Sequence, residues 1–167
     1  MRIPVFMSAP TTLSPEQEAV RNRIVKLLKS QGLEARALGR QEYPTDYPLR
    51  EVAVIAKHCS GGIILGFEQL MVTTGIAKRG SSAQKNIENV RMPTPWNNLE
   101  AGILFGLGLP LLIFREEGLG GGVFDNGVTD IFVQNMPPAT ATRAESDELR
   151  EVILKWQSRV REHYYRL

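Results

Sequence analysis

"PTPWNNLEAGILFGLGLPLLIF" occupies residues 93–114, and its reading decides the fold. Thr94 is an N-cap residue type, and Pro95 at the first helical position is pre-set for a helix because its missing N–H costs nothing there. The helix ends near Gly106 and Gly108, and "PLLIF" (110–114) reads as a buried strand. From Leu99 to Phe114 the stretch is almost wholly apolar except for Glu100. A carboxylate in such a segment pairs with a cation, faces a pocket or is protonated. No basic residue lies within one helical turn of it. At helical spacing Trp96, Glu100 and Leu104 share one side, and Leu99, Ile103 and Leu107 the adjacent one. Both sides are apolar, so the helix is expected to be sandwiched within the protein. The competing reading has Glu100 reaching solvent from the first turns, where the helix dipole favours a carboxylate.

Working outward, two more continuous apolar runs read as buried strands, "IPVFM" (3–7) and "GGIILGF" (61–67). Ser14, Pro15 and Gln17 make a capping-box start. Val20, Ile24, Leu27 and Leu28 then recur at helical spacing until Gly32 stops the helix. "LEARAL" (33–38) is strand-like, and "YPTDYPLR" (43–50) leads into a helix through about His58 with Leu49, Val52, Ile55 and Ala56 inward. "IFVQNM" (131–136) is a last strand. Leu149, Val152, Ile153, Trp156 and Val160 mark an amphipathic C-terminal helix over 145–167. Residues 68–93 are polar in their second half and carry Lys78, Arg79 and Lys85; they read as a mobile flap insertion. "GLGGG" (118–122) lacks the spacing of a phosphate-binding loop and reads as a flexible lid or spacer.

Continuous apolar strands alternating with helices specify a parallel sheet covered on both faces. The expectation is one α/β domain over 1–167, a flavodoxin-like, doubly wound sheet of about five strands. Such sheets bind ligands outside the carboxyl ends of their strands. The loops beginning at Ser8, Phe67 and Arg115 should therefore line one cleft, with the start of the 94–108 helix pointing into it.

Bulk properties narrow the function classes. The 167 residues are 43% hydrophobic and 23% charged, with a net charge of +2. That charge is too small to imply a nucleic-acid or membrane partner. Cys59 is the sole cysteine, which excludes an internal disulfide and a thiolate zinc cluster, and His58 and His163 are too few for a typical metal site. His58 and Cys59 are expected to be packed. No signal peptide or membrane-spanning run is legible, so a cytoplasmic protein with no metal or cofactor is expected.

"VFMSAP", a helix, "GGIILGF" and "PTPWNNLEAGILFGLGLPLLIF" together resemble the TIR-like and nucleoside 2-deoxyribosyltransferase-like superfamily. In TIR domains a Trp followed by Leu or Tyr and then Glu opens the helix that carries the catalytic glutamate, and "WNNLE" (96–100) is similar. In deoxyribosyltransferases the comparable helix carries Glu-x-Gly and ends at Gly-x-Pro, similar to "EAG" (100–102) and "GLP" (108–110). The extended form "TPWNNLEAG" after a polar insertion resembles a bacterial TIR-like nucleotide-binding group tied to signalling or phage defence. Two departures count against a transferase: Thr94 stands where an Asp is usual, and only Glu68 offers an acid near the end of the preceding strand.

Both families cleave N-glycosidic bonds through an oxocarbenium-like ribose, and one carboxylate beneath C1′ can stabilise that cation or attack it. The resemblance implies Glu100 in this role. A neutral leaving base needs a second acid, whereas nicotinamide leaving from NAD does not, so one good carboxylate fits NAD-type cleavage better. Ser8 and Ala9 are candidates for ribose or phosphate contacts, Phe67 for a pocket wall, Trp96 for stacking on a base, and Thr94 and Asn97 for contacts at the helix start. The implied partner is a nucleotide or nucleoside, and the resemblance to TIR-like enzymes implies a homo-oligomer. The alternatives are a non-catalytic nucleotide-binding or signalling module, and a deoxyribosyltransferase or nucleotide N-glycosidase.

Overall fold

A computed structural model describes residues 1–38 and 47–166. Along the chain run β1 (Ile3–Ser8), α1 (Pro15–Ser30), β2 (Leu33–Arg36), α2 (Pro48–Lys57), β3 (Gly62–Gly66), β4 (Leu70–Ala77), β5 (Lys85–Met92), α3 (Pro95–Gly106), β6 (Leu111–Arg115), β7 (Val133–Asn135) and α4 (Arg143–Arg166). Five strands form one sheet in the order β2-β1-β3-β6-β7, and every pairing in it is parallel. The three apolar runs β1, β3 and β6 are adjacent at its centre, as their lack of a polar face requires. The approach to α2 at 43–46 lies outside the described residues.

The strand period of two divides these side chains between two cores. Val5, Met7, Ile63, Leu65, Leu112 and Phe114 pack with α1 and α4, which contribute Val20, Ile24, Leu28, Ile153 and Trp156. Phe6, Ile64, Leu111 and Ile113 face the other way, toward Val52, Ile55 and Ala56 of α2 and Ala101 and Leu104 of α3. The result is the doubly wound α/β layering expected from the sequence. At its start α1 has the full capping box between Ser14 and Gln17, while Trp156 Nε1–H donates to Pro110 O at 2.9 Å and ties α4 to the entry of β6.

Several expectations need correction. Residues 70–92 are not an irregular loop: β4 and β5 pair as an antiparallel hairpin with Leu70 opposite Met92 and Ala77 opposite Lys85. Its signal was faint because neither face is covered, so neither face had to be uniformly apolar. Nor is α3 sandwiched. Asn97, Ala101 and Leu104 point inward, but Leu99 is 44% and Phe105 51% exposed, because nothing among the described residues covers the outer side of this helix. Leu49 is exposed as well, for the same reason on α2. Cys59 is buried, whereas exposed His58 caps α2 and its Nδ1 lies 2.8 Å from Val54 O. "GLGGG" is not a free spacer. It leads into a 3-10 turn at Gly122–Phe124 whose Val123 N–H donates to Asn98 Oδ1 at 2.9 Å. The turn returns Phe124 to the core, against Gly66, where a Cβ would meet the ring at 2.5 Å.

Candidate active site

In a sheet of this order the connections leave in opposite directions from β1 and β3, and the crevice between them is open at the carboxyl ends of the strands. A cavity of about 400 Å³ lies there, lined by Ala9, Pro10, Thr11 and Thr12 after β1, Leu38 after β2, Pro48 at the start of α2, Gln69 after β3, the N-cap Thr94, and Trp96 and Glu100 of α3. The loop after β6 does not reach it. Glu116 and Glu117 instead line a separate cavity of about 340 Å³ with Ser14, Gln17 and Arg91. The single cleft expected from the sequence is therefore two, divided by the root of the hairpin.

Helical geometry places Asn97 and Glu100, three residues apart, side by side over the end of β1. Ser8 shares the side-chain direction of Phe6, toward α3. The Ser8 hydroxyl beside Glu100 favours the ionised form of its carboxyl group. Asn97 Nδ2 donates to Ser8 Oγ at 2.9 Å, in the buried layer beneath the cavity floor. Ser8 and Asn97 are both fully buried.

Burial disfavours the charged form of Glu100 and raises its pKa from 4.5 to about 7, with the Ser8 hydroxyl opposing the rise. Glu100 lies in the second turn of α3, beyond the reach of most of the dipole's stabilisation. A carboxyl group with this pKa is shared between its two protonation states near neutrality. It can therefore deliver a proton or present a weakly screened negative charge to whatever occupies the cavity.

The residues singled out from sequence fall into three positions. Glu100, Ala9, Thr94 and Trp96 line the cavity. Trp96 is 41% exposed, so it is a rim residue and not a core aromatic. Thr94 also caps α3, accepting from Trp96 N–H at 3.3 Å. Ser8 and Asn97 lie behind Glu100 and do not line the cavity, because their side chains are sealed between β1 and α3. Phe67 is a correction of another kind: it is fully buried in the core shared with α1 and α4, on the face of the sheet away from α3. Glu68, the acid nearest the end of β3, is engaged elsewhere, with its Oε2 3.1 Å from Arg91 Nε. Sequence reasoning did not single out Pro10, Thr11, Thr12, Leu38, Pro48 and Gln69. The available signal was their place just beyond strands β1, β2 and β3 or at the start of α2. Among the described residues no group of three or more His, Cys, Asp or Glu could hold a metal ion, and no helix is long and apolar enough to cross a membrane.

The architecture matches that of a solved nucleotide N-glycosidase. The CMP N-glycosidase of Clostridium botulinum superposes with a TM-score of 0.53, covering 90% of this chain and 98% of that one, at 13% sequence identity. At that identity the match establishes a common fold. No protein-family model matches the chain, and no curated protein matches it by sequence.

Proposed function

We propose that this chain cleaves the N-glycosidic bond of a nucleotide, with Glu100 as its catalytic carboxylate. The observation that carries the reading is Glu100 in the wall of a cavity at the sheet's crevice, with its pKa raised to about 7. Strongly perturbed carboxyl groups in clefts mark functional sites more often than structural ones. In the ionised form, the carboxylate stabilises the ribosyl cation as the base departs or attacks C1′ directly, after which water completes hydrolysis. Trp96 on the rim supplies a face for a base, and Thr11, Thr12 and Gln69 supply hydroxyl and amide groups for the sugar.

Two substrate types follow from different observations. Glu100 is the sole titratable side chain in the described cavity lining. A leaving group that already carries positive charge, the nicotinamide of NAD, suits a site with no separate acid. A nucleoside monophosphate is favoured by the shared fold with a CMP N-glycosidase, and the protonated fraction of Glu100 near neutral pH is then the proton source for the base. The test is chromatographic measurement of free base or nicotinamide after incubation with NAD, CMP, other nucleotides and nucleosides. Wild type should release product from at least one of them. Glu100→Gln should slow that release by about 10²–10³-fold, the loss expected for one transition-state electrostatic group. Equal rates remove Glu100 from catalysis. No release from any substrate leaves a nucleotide-binding module.

A further inference from the structure

We propose that the β4–β5 hairpin is a docking arm for double-stranded DNA, seated in the major groove as a two-stranded ribbon and held to the phosphates by Lys78, Arg79 and Lys85 at its tip. This goes beyond the reading of Glu100 and needs no turnover at that site.

The distribution of charge is the first observation. The whole chain has a net charge of +2, a figure that hides where the charge lies. Residues 78–85, "KRGSSAQK", hold three cations and no carboxylate, so the rest of the chain is slightly acidic. Pairing of Ala77 with Lys85 closes the ribbon and brings Lys85 to the same end as Lys78 and Arg79. All three are exposed, and among the described residues no ion pair holds any of them. Cations gathered on one projecting element are the electrostatic footprint of a phosphate backbone, whatever the net charge of the chain.

The tip is also built to present them. Ser81 donates to Lys78 O through its N–H at 3.1 Å and its hydroxyl at 2.7 Å. Ala83 N–H donates to Ser81 Oγ at 3.2 Å, and Gly80 N–H to Gln84 Oε1 at 2.7 Å. A turn tied in this way has little conformational freedom left to lose on binding. Lys78 itself has φ +52°, a left-handed conformation that glycine adopts freely and other residues adopt at a cost. A turn that served shape alone is better made with glycine there, and this one keeps a cation.

Shape selects the partner. Neither strand of the arm has a buried residue, so the hairpin stands as a free two-stranded ribbon, the element that the major groove of B-form DNA admits. Exposed Thr73, Thr74, Asn86 and Asn89 along it offer hydroxyl and amide groups suited to phosphates and base edges. A lipid surface fits less well, because no side chain of 77–86 is apolar and larger than alanine, whereas interfacial segments bury Trp, Phe or Leu. Eight-residue strands set the tip about 25 Å from the root beside the cavity, so the duplex is a docking partner and not the substrate of Glu100.

The test is fluorescence anisotropy with a labelled DNA duplex of mixed sequence, about two helical turns long, over a series of salt concentrations. Wild type should bind at low salt. With three phosphates neutralised, affinity should fall about 40-fold between about 50 and 200 mM salt, a slope of about −2.7 in log K against log salt. Lys78→Ala, Arg79→Ala and Lys85→Ala should each lower that slope by about 1, and the triple variant should lose binding. Lys85→Arg, which keeps the charge, should bind as wild type does. Lys78→Gly relieves the left-handed backbone but removes the charge, and should weaken binding as Lys78→Ala does. No binding by wild type at the lowest salt overturns the proposal, and so does a triple variant that binds as tightly as wild type. Equal or tighter binding to the single strand, to phosphatidylserine vesicles or to polyglutamate at matched salt also overturns it, since each would make the partner something other than a DNA duplex.

Discussion

Replacing Glu100 by glutamine should change how stability depends on pH, and the size of the change follows from the site. Unfolded, Glu100 titrates near 4.5; folded, it titrates near 7, raised by burial and partly offset by Ser8. Between those values the folded state holds a proton that the unfolded state has released, so stability is greatest below about pH 4.5, falls as pH rises and levels off above about 7. A displacement from 4.5 to about 7 is worth about 3 kcal/mol as an upper figure, and less to the extent that water in the cavity solvates the carboxylate. Glutamine has the same shape and no charge to bury. Relative to wild type, Glu100→Gln should gain stability from about pH 4.5 to about 7 and level off above that, by as much as about 3 kcal/mol, the difference that ionisation costs the native state. Urea unfolding followed by the fluorescence of Trp96 and Trp156 at half-unit pH intervals measures this directly. Parallel stability curves for the two proteins would refute the burial argument and return Glu100 to an ordinary solvated carboxylate.

Gly66→Ala should destabilise the protein by about 1–3 kcal/mol through overpacking, since its Cβ would lie 2.5 Å from the buried Phe124 ring; an unchanged urea midpoint would show that the turn at 122–124 yields freely. Amide hydrogen exchange should be orders of magnitude faster in β4 and β5 than in β3 and β6, because the hairpin's strands are largely solvated whereas β3 is buried throughout. Equal protection would mean that the hairpin is held as firmly as the sheet, against its expectation as a mobile flap.

The parts of this architecture that were legible in sequence are those where burial on both sides leaves a strong signature. β1, β3 and β6 carry unbroken apolar runs over 3–7, 62–66 and 111–114 because each faces a helix layer on both sides. Ser14 with Gln17, and Thr94 with Pro95, marked their helix starts for a local reason that tertiary context did not override. The hairpin was illegible because solvent on both faces removes the constraint that writes a pattern. The outer side of α3 misled for the opposite reason: Leu99 and Phe105 are apolar, and sequence alone does not distinguish an apolar residue that is covered from one that is not. Glu100 stood out through its apolar neighbours, yet its link to Ser8 and Asn97 needed the parity of β1 and the three-residue offset on α3 to be combined across 89 positions. Phe67 was assigned to the pocket by its place just after β3; its side chain turns to the opposite core.

The hairpin is fastened at its base. Gln69 N–H donates to Met92 O at 2.9 Å, Arg91 pairs with Glu68 at 3.1 Å, and Arg91 also donates to Glu117 O at 3.1 Å. Beyond this clasp the two eight-residue strands extend an arm of about 25 Å. The chain leaves and re-enters the body at one point, so the arm's length is uncoupled from the register of the five parallel strands. Residues can be added to or deleted from its tip in pairs, or its sequence exchanged for another hairpin, without moving Glu100 relative to Ser8. The arm is thus a separable attachment whose length and sequence are set independently of the cavity's geometry.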